Sequence, residues 1–185
     1  MNVIVVAHDP RWARDFERES EALHAALDTP PVAVHHIGST AIAGILAKPV
    51  VDLLGVVVDL DGIDRCSATM RGLGYEVMGP YGIDGRRYFR KSGADGRRTH
   101  HLHVFAAGSP QIERHLAFRD YLREHPSKAA EYSALKTRLA ADGASMDAYI
   151  EAKAPFIAAT DALAVDWYRR RDCRDCRGSA GTSPG

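Results

Sequence analysis

The chain has 185 residues, of which 45% are hydrophobic and 26% are charged, the composition of an ordinary globular protein. This length fits one domain that is large enough to bury a core of its own. Lysine plus arginine and aspartate plus glutamate number 24 each, which gives a formal net charge of zero. No overall field therefore attracts nucleic acid or a membrane surface, although a neutral total leaves room for a local basic patch.

The N-terminal residues and the cysteines indicate where the protein works. Val3 to Val6 is an apolar run without a basic region before it or a cleavage site after it, which predicts a strand and not a signal peptide. No stretch approaches the roughly 18 consecutive apolar residues of a membrane span. Three cysteines do not form a disulfide framework, and Cys66 is typical of a small buried side chain. The pattern indicates a reducing compartment, the cytoplasm.

Strands and helices alternate along the first half of the chain. Asp9-Pro10 is typical of a helix start, with Asp as the N-cap and Pro at the first helical position. The run 50–58, VVDLLGVVV, is apolar on both faces, as a central strand is. The predicted elements are strand 3–6, helix 11–27, strand 32–37, a short helix 40–47 weakened by Gly44, strand 50–58, helix 63–73 and strand 75–78.

The second half is predicted to hold a hairpin followed by helices. Strands over 87–91 and 102–105 are joined by the polar loop 92–98, and helices begin at Pro110 and Pro126, with a last one from Met146 to about Tyr168. The domain is expected to span 1–168, and 169–185 is basic, then rich in Gly, Ser and Pro, which predicts a disordered tail. The lone Cys173/Cys176 pair in that tail is treated as incidental, because a zinc site requires four ligands.

The first candidate for chemistry is Gly38-Ser39-Thr40. A strand followed by Gly-Ser at the mouth of a helix directs backbone N–H groups and a hydroxyl to one spot, which suits a phosphate. Alternatively, Ser39 or Thr40 only caps the helix.

The second candidate is Asp52, the one charge inside the strand 50–58. A carboxylate in such a strand is costly to bury unless it is paired, hydrogen-bonded or bound to metal. The strand–turn–helix–strand unit is predicted to bring it close to the Gly-Ser turn. The alternative is a structural aspartate that accepts backbone N–H bonds or pairs with Lys48.

The third candidate is the pair His101 and His103. Residues two apart on a strand share a face, so both imidazoles are predicted to point the same way while Leu102 and Val104 point into the core. Such a pair can bind a transition metal, contact a phosphate or transfer protons. A half-exposed surface pair is the alternative.

Cations near these residues are candidates for phosphate binding. On the strand 87–91, Arg87 and Lys91 share one face with Phe89, while Arg86, Tyr88 and Arg90 share the other, and one face is expected to supply cations to a triphosphate. A charged edge strand exposed to solvent is the alternative. In the C-terminal helices one or two side chains are expected to reach the site, from the set Arg119, Tyr132, Lys136, Tyr149 and Lys153.

These residues, in this order, resemble the GrpB family, which is related to the nucleotidyltransferase superfamily. The resemblance rests on the HHIGSTAIAGILAKPVVDLL block together with RRYFRK, HLHV, RHLAFRDYLREHP, EYSALKTRLA and YIEAK. It covers about residues 3–168, nearly everything except the tail.

The resemblance implies an α+β (mixed α/β) fold of the nucleotidyltransferase type, a small mixed β-sheet flanked by helices with a helical C-terminal portion. In that superfamily the Gly-Ser turn holds a nucleoside triphosphate, and carboxylates on the next strand hold two Mg²⁺ ions that assist attack on the α-phosphorus. Gly38 and Ser39 match the turn, and Asp52 matches the first carboxylate. The second carboxylate is replaced by Leu54, and the neighbouring strand carries His101 and His103 where a third carboxylate is usual.

The expected metal set is therefore Asp52, His101 and His103, with Mg²⁺, Mn²⁺ or Zn²⁺ as the ion. The same three residues are the candidate catalytic groups. The residues expected to bind the nucleotide are Gly38, Ser39, Thr40, Lys48, Arg87 and Lys91.

Three functions are compatible with these features. The first is a metal-assisted nucleotidyltransferase that moves a nucleoside monophosphate from a nucleoside triphosphate to an unknown acceptor. The second is a phosphohydrolase centred on the histidines, for which HLHVF is an incomplete motif because Phe105 stands in the third place. The third is a non-catalytic module that binds a nucleotide or another phosphorylated small molecule, which Leu54 favours. The sequence leaves the nucleotide and the oligomeric state open.

Overall fold

The computed structural model describes residues 3–27, 31, 33–143 and 145–178. Within these ranges the strands are β1 (Ala33–Ile37), β2 (Val51–Val57), β3 (Tyr75–Val77), β4 (Arg86–Ser92) and β5 (Arg98–Ala106). The helices are α1 (Arg11–Ala26), α2 (Leu60–Arg65), α3 (Ser67–Gly72), α4 (Pro110–Glu124), α5 (Pro126–Ala141) and α6 (Met146–Gly178), and a 3₁₀ turn covers Ser39–Ala41.

The five strands form one mixed sheet in the order β1-β2-β5-β4-β3. β2 and β5 are parallel, and the other neighbouring pairs are antiparallel. The helices between β2 and β3 provide part of the crossover that parallel pairing of β2 and β5 requires. This sheet with its flanking helices and helical C-terminal portion confirms the predicted α+β class, with β2 in the interior of the sheet.

Each face of the sheet packs against different helices. Alternate residues of β2 and β5, among them Leu53 and Leu102, pack with Leu23 of α1 and Met70 of α3 in the larger apolar cluster. We call this side the α1 face. The opposite side, the α4 face, has a smaller cluster made of Ile37, Leu54 and Phe105, against which Ile112 and Leu116 of α4 pack.

The C-terminal helices are fastened to the segment that follows β1. Ile42 and Ile45 form an apolar cluster with Leu122 of α4, Ala129 and Tyr132 of α5, and partly buried residues of α6 such as Phe156. Burial of these side chains holds α5 and α6 beside the Gly38–Ser39 turn.

The predicted elements are confirmed in their order, and four of them need correction. The run 3–6 contributes a single bridge between Val6 and Ala47 and is not a strand. The predicted helix 40–47 is limited to the 3₁₀ turn, because Ile42 is extended and Gly44 has a φ of +81°. The predicted helix 63–73 is two helices, α2 and α3, that meet at Cys66.

The fourth correction concerns the C-terminal end of the domain. α6 continues beyond residue 168 to Gly178, and Arg169 pairs with Glu113 of α4 at 2.7 Å. A disordered tail therefore does not begin at Arg169. Residues 179–185 and the side chains of Cys173 and Cys176 lie outside what the structure describes. Within the described parts of the chain, no helix combines the length and hydropathy that a membrane span needs.

Gly38 is the backbone position at which substitution should cost most. It has a φ of +68°, and a Cβ added to it would lie 3.0 Å from the Cβ of Asp52. Gly44 is the matched control, because it has a φ of +81° and no atom within 4 Å of an added Cβ. Gly44→Ala should lower the free energy of unfolding by the ~1–2 kcal/mol of a left-handed L residue, and Gly38→Ala should lower it by more. Urea denaturation measures the free energy of unfolding of both variants, provided that the m-values are unchanged. Equal losses of stability in the two variants would contradict the close contact between Gly38 and Asp52.

Candidate functional site

The Gly38–Ser39 turn lies directly beside Asp52. β1 and β2 pair antiparallel, with Ile37 opposite Asp52, so the residue after Ile37 is placed against the aspartate. Only a residue without a Cβ fits there, because the Asp52 side chain occupies that space. The predicted closeness of the turn and the carboxylate is confirmed.

The two histidines lie on the same face as Asp52. In the parallel pairing of β2 and β5, His101 is opposite Asp52 and His103 is opposite Leu54, so both imidazoles lie on the α4 face as predicted. His101 Nδ1 lies 3.2 Å from Asp52 Oδ1. Burial acts to raise the pKa of Asp52, but the His101 hydrogen bond and the positive charges around it lower the pKa overall. Asp52 is therefore ionised at neutral pH.

His103 has a different environment from His101. Its Nδ1 accepts a hydrogen bond from Arg86 Nη1 at 3.4 Å, and its ring centroid lies 5.5 Å from that of His115 on α4. Burial lowers the pKa of His103 to about 4 and that of His115 to about 3. Both rings are therefore neutral at pH 7. Nothing in the helical pattern of α4 singled out His115.

Lys136 of α5 reaches the Gly-Ser turn. Its side chain is 2% exposed, and its Nζ donates to Ser39 Oγ at 3.0 Å and to the backbone oxygen of Leu46. The Nζ also lies 4.1 Å from the ring centroid of Tyr132. Burial, with a smaller contribution from Lys153, lowers the pKa of Lys136 to about 7.

Lys48 and Lys153 complete a group of three cations, which we call the lysine cluster (Lys48, Lys136 and Lys153). Lys153 Nζ lies 4.3 Å and Lys48 Nζ 5.6 Å from the ring centroid of Tyr149. Burial and the charge of Lys48 lower the pKa of Lys153 to about 8, while Asp52 acts in the opposite direction. Of the scattered C-terminal residues in the sequence, Lys136 and Lys153 are thus the lysines that reach the site.

Two arginines of α4 hold the backbone on both sides of the turn. Arg123 donates from Nε and Nη2 to the backbone oxygen of Ala41, at 3.0 and 2.7 Å. Arg119 donates to the backbone oxygen of His36 at 3.1 Å. Asp120 pairs with both arginines, at 2.7 and 3.4 Å. These bonds fix the turn relative to α4.

Three residues expected to bind a nucleotide make other contacts or lie on the other face of the sheet. Thr40 is 2% exposed and its hydroxyl bonds His36 Nε2 at 2.9 Å, so it stabilises the turn from inside. Arg87 and Lys91 lie on the α1 face, where Arg87 pairs with Asp64 at 2.6 Å and Lys91 pairs with Glu19 at 2.9 Å. Phe89 is buried in the α1-face cluster. Residues two apart on a strand point to the same face, so Arg87 and Lys91 also lie on the α1 face. The side chains of β4 on the α4 face are Arg86, Tyr88 and Arg90.

The residues present do not fit the metal centre that the fold family implies. Among the residues described, no group of three or more His, Cys, Asp or Glu is arranged to hold a metal ion. Asp52 and His101 are adjacent, but His103 is turned to the Arg86 guanidinium, and Leu54, which is fully buried, takes the place of the second carboxylate. The expected metal set is therefore not assembled by these side chains.

A cavity of about 1060 Å³ is separate from this site. It is lined by residues 6–10, by the first turns of α1 and by Val51 and His100. In the β2–β5 pairing Val51 and His100 are opposite each other and belong to the α1 face. The sheet thus separates the cavity from Asp52.

The sheet, the Gly-Ser turn and the carboxylate strand define a nucleotidyltransferase-like fold. Cid1, solved in complex with its short product ApU, superposes with a TM-score of 0.50 at 10% identity, over 70% of this chain and 41% of that one. At this level of identity the likeness shows the fold alone. The chain belongs to the GrpB family, since the family model described as GrpB protein matches residues 2–162.

Relatives from bacteria agree with this assignment. The crystal structure of the conserved protein GrpB from Enterococcus faecalis has a TM-score of 0.83 and 40% identity, over 89% of this chain and 99% of that one. The UPF0157 protein YqkA of Bacillus subtilis is 41% identical over 171 residues, which are 92% of this chain and 49% of YqkA. A dephospho-CoA kinase of Mycolicibacterium paratuberculosis is 28% identical over 89% of this chain and 46% of its own length. The chain thus spans about half the length of YqkA.

The depressed pKa of Lys136 predicts how stability depends on pH. Lys136 titrates near pH 7 in the folded protein and near 10.4 when unfolded, so between these values the unfolded chain binds more protons. The free energy of unfolding should therefore rise with pH over this window, by at most ~1.4 kcal/mol per pH unit from this group. Lys136→Met should lack this rise. Urea denaturation from pH 6.5 to 10 compares the two, and parallel curves would contradict the prediction.

Proposed function

We propose that this protein binds the polyphosphate of a nucleotide on the α4 face, between the Gly38–Ser39 turn and the lysine cluster. The observation that carries the proposal is a group of three lysines beside one carboxylate. Lys136 bonds Ser39 in the turn, and Lys48 and Lys153, which share the ring of Tyr149, both interact with the charge of Asp52. Lysine ammonium groups are common phosphate ligands. The cytoplasm is the proposed compartment, since Cys66 is a free thiol, and reducing compartments keep thiols in that state.

Burial of the lysines supports an anionic ligand. Desolvation lowers the pKa of all three, to about 7 for Lys136 and about 8 for Lys153, which means that their charged forms lack compensation in the free protein. A phosphate chain would supply that compensation and restore the protons. Ser39 Oγ, already bonded to Lys136, offers a hydroxyl beside these cations.

The reaction proposed for this site is transfer of a nucleoside monophosphate. An acceptor oxygen would bond to the α-phosphorus, pyrophosphate would leave, and the acceptor proton would pass to a base. His101 is the candidate base, because its Nδ1 is held by Asp52 and its Nε2 remains for the proton. The expected Mg²⁺, Mn²⁺ or Zn²⁺ ion has no part in this step, because Asp52, His101 and His103 are not arranged as a three-ligand set among the described residues.

A non-catalytic binding module is the second candidate, and Leu54 favours it. The side chain is 0% exposed and packs with Ile37 and Phe105, so the strand offers one carboxylate where two-metal chemistry uses several oxygen ligands. Both candidates share the binding site and differ only in turnover. The histidine-centred phosphohydrolase has less support, since His103 is bonded to Arg86 and packed on His115.

The binding test uses inorganic triphosphate and the four common nucleoside triphosphates, with and without Mg²⁺, Mn²⁺ or Zn²⁺, in isothermal titration calorimetry. Lys136→Met should weaken binding ~10-fold or more, because a hydrogen bond to a charged group is worth ~1.5–3 kcal/mol. Arg87→Gln is the matched control, since it removes a cation from the opposite face, and it should leave affinity within about twofold. Equal losses in both variants, or no binding to wild type, would refute the proposal.

Turnover separates the enzyme from the binding module. Pyrophosphate release from each nucleotide is followed in the presence of pooled hydroxyl and amino acceptors. An enzyme should lose release in Asp52→Asn and His101→Gln while both variants still bind nucleotide. A module should bind without release in wild type. Release of inorganic phosphate that survives in Asp52→Asn and disappears in His103→Ala would instead indicate the phosphohydrolase.

Affinity for inorganic triphosphate should fall as pH rises from 7 to 9. Lys136 and Lys153 lose their protons with pKa values of about 7 and about 8, so binding above these values must take up protons at increasing cost. Lys136→Met should flatten the lower part of this dependence. Calorimetry in buffers of different ionisation enthalpy measures the protons directly, and affinity independent of pH would count against the lysines as ligands.

A further inference from the structure

The loop between β3 and β4 displays a strained tyrosine to solvent. Tyr81 has a φ of +47°, while Gly79, Gly82 and Gly85 around it take the positive φ values that glycine tolerates. Its side chain is 57% exposed. A bulky residue in the left-handed region carries a conformational cost. Because the ring of Tyr81 is exposed, burial of the ring does not offset this cost.

Arg86 holds the loop in this conformation. Its side chain is 6% exposed, and it donates from Nε to the backbone oxygen of Pro80 at 3.0 Å and from Nη2 to that of Tyr81 at 2.6 Å. The guanidinium also lies 4.9 Å from the ring centroid of Tyr88. A buried arginine is thus committed to fixing the position of an exposed ring.

The exposed ring is connected to the candidate site by consecutive contacts. Tyr81 stacks on Tyr88 with ring centroids 5.3 Å apart and 28° between the planes. Tyr88 contacts the ring of His101 at 5.7 Å, and His101 bonds Asp52. Lys136 of the lysine cluster bonds Ser39, which follows β1, whereas Tyr88 lies on β4 and Tyr81 in the loop before it, beyond β5 in the sheet order. A ligand across Asp52 therefore has cations at one end and aromatic rings at the other.

We propose that Tyr81, supported by Tyr88, is a stacking platform for the planar heteroaromatic ring of a nucleoside bound at this site. The proposal rests on the proposed function, because it assumes that phosphates occupy the lysine cluster. The ring would come from the bound nucleotide itself or from a second nucleoside that acts as acceptor. Both sources have the same chemistry, a flat π-system that packs on an exposed aromatic face.

The size of the effect follows from base stacking on aromatic side chains. Removal of one stacked aromatic residue should weaken binding of a ring-bearing ligand ~5- to 150-fold. Inorganic triphosphate has no ring, so its affinity should not change. Tyr81→Phe keeps the ring and should bind like wild type, which separates stacking from a role of the hydroxyl.

Two variants without the ring distinguish a loss of stacking from a loss of folded structure. Tyr81→Ala removes the ring but leaves an L residue at positive φ, whereas Tyr81→Gly removes the ring and relieves the strain. Tyr81→Gly should therefore be at least as stable as Tyr81→Ala in thermal unfolding. If both lose nucleoside-dependent affinity to the same extent, misfolding is excluded as the cause.

The experiment measures three ligands by calorimetry on the full chain: inorganic triphosphate, a nucleoside triphosphate, and a free nucleoside in the presence of saturating inorganic triphosphate. Loss of nucleoside triphosphate affinity in Tyr81→Ala and Tyr81→Gly assigns the ring to the nucleotide. Loss of free-nucleoside binding in the same variants, with nucleoside triphosphate affinity unchanged, assigns it to a second ligand. Either result supports the platform.

The platform is overturned if both ring-bearing ligands bind wild type, Tyr81→Ala and Tyr81→Gly equally, or if neither binds wild type more tightly than a ring-free ligand. In both cases binding of inorganic triphosphate in a Lys136-dependent manner would leave the proposed function intact. Absence of triphosphate binding to wild type would instead overturn the proposed function, and the platform with it. The two failures are therefore distinguishable.

Discussion

The candidate site depends on the contact between Gly38 and Asp52. Antiparallel pairing places Ile37 opposite Asp52, and the next residue must lack a Cβ because the carboxylate already fills that space. A side chain at position 38 would push the turn away from β2 and would move Ser39 away from Lys136. Because His101 is in register with Asp52 across β5, the same contact also sets the distance between the turn and the imidazole.

The site contains buried lysines whose charges are only partly compensated in the free protein. Ordinary proteins rarely bury lysine without a carboxylate partner, yet Lys136 is paired here with a hydroxyl and a backbone oxygen. Lys48 and Lys153 share one tyrosine ring. Burial of these partly uncompensated cations lowers the stability of the fold. Burial of the apolar cluster around Ile42 and Tyr132 offsets this cost. Such preorganised charge costs little reorganisation when an anion arrives.

Local spacing predicted the order of elements, the hairpin and the closeness of Gly38 and Asp52. The mixed sheet, with His101 on the strand beside Asp52, was implied by the resemblance to the GrpB family. The predictions failed where the decision depended on tertiary packing. The alternation in β4 predicted one cationic set on each face but not which of the two faces Asp52. Because Phe89 packs in the α1-face cluster, Arg87 and Lys91 lie on that face and Arg86 and Arg90 lie on the face of Asp52. Lys136 and Lys153 belonged to a set of five candidates on the C-terminal helices, and the docking of these helices on Ile42 and Ile45 selects them. Thr40 was expected to bind the nucleotide, but it is buried and its hydroxyl is hydrogen-bonded to His36.

Leu54 has a consequence for which substitutions this strand tolerates. The position lies in a dry cluster with Ile37 and Phe105, and Ile112 and Leu116 of α4 close over it. A carboxylate introduced there would enter this cluster at a cost of several kcal/mol, unless it paired with His35 or His103, which lie opposite Leu54 on the neighbouring strands. Leu54→Asp would therefore lose apolar packing in this cluster, and an imidazole opposite it is the group that could compensate the new charge. The apolar cluster thus disfavours a second carboxylate on this strand and keeps Asp52 as its one acidic residue.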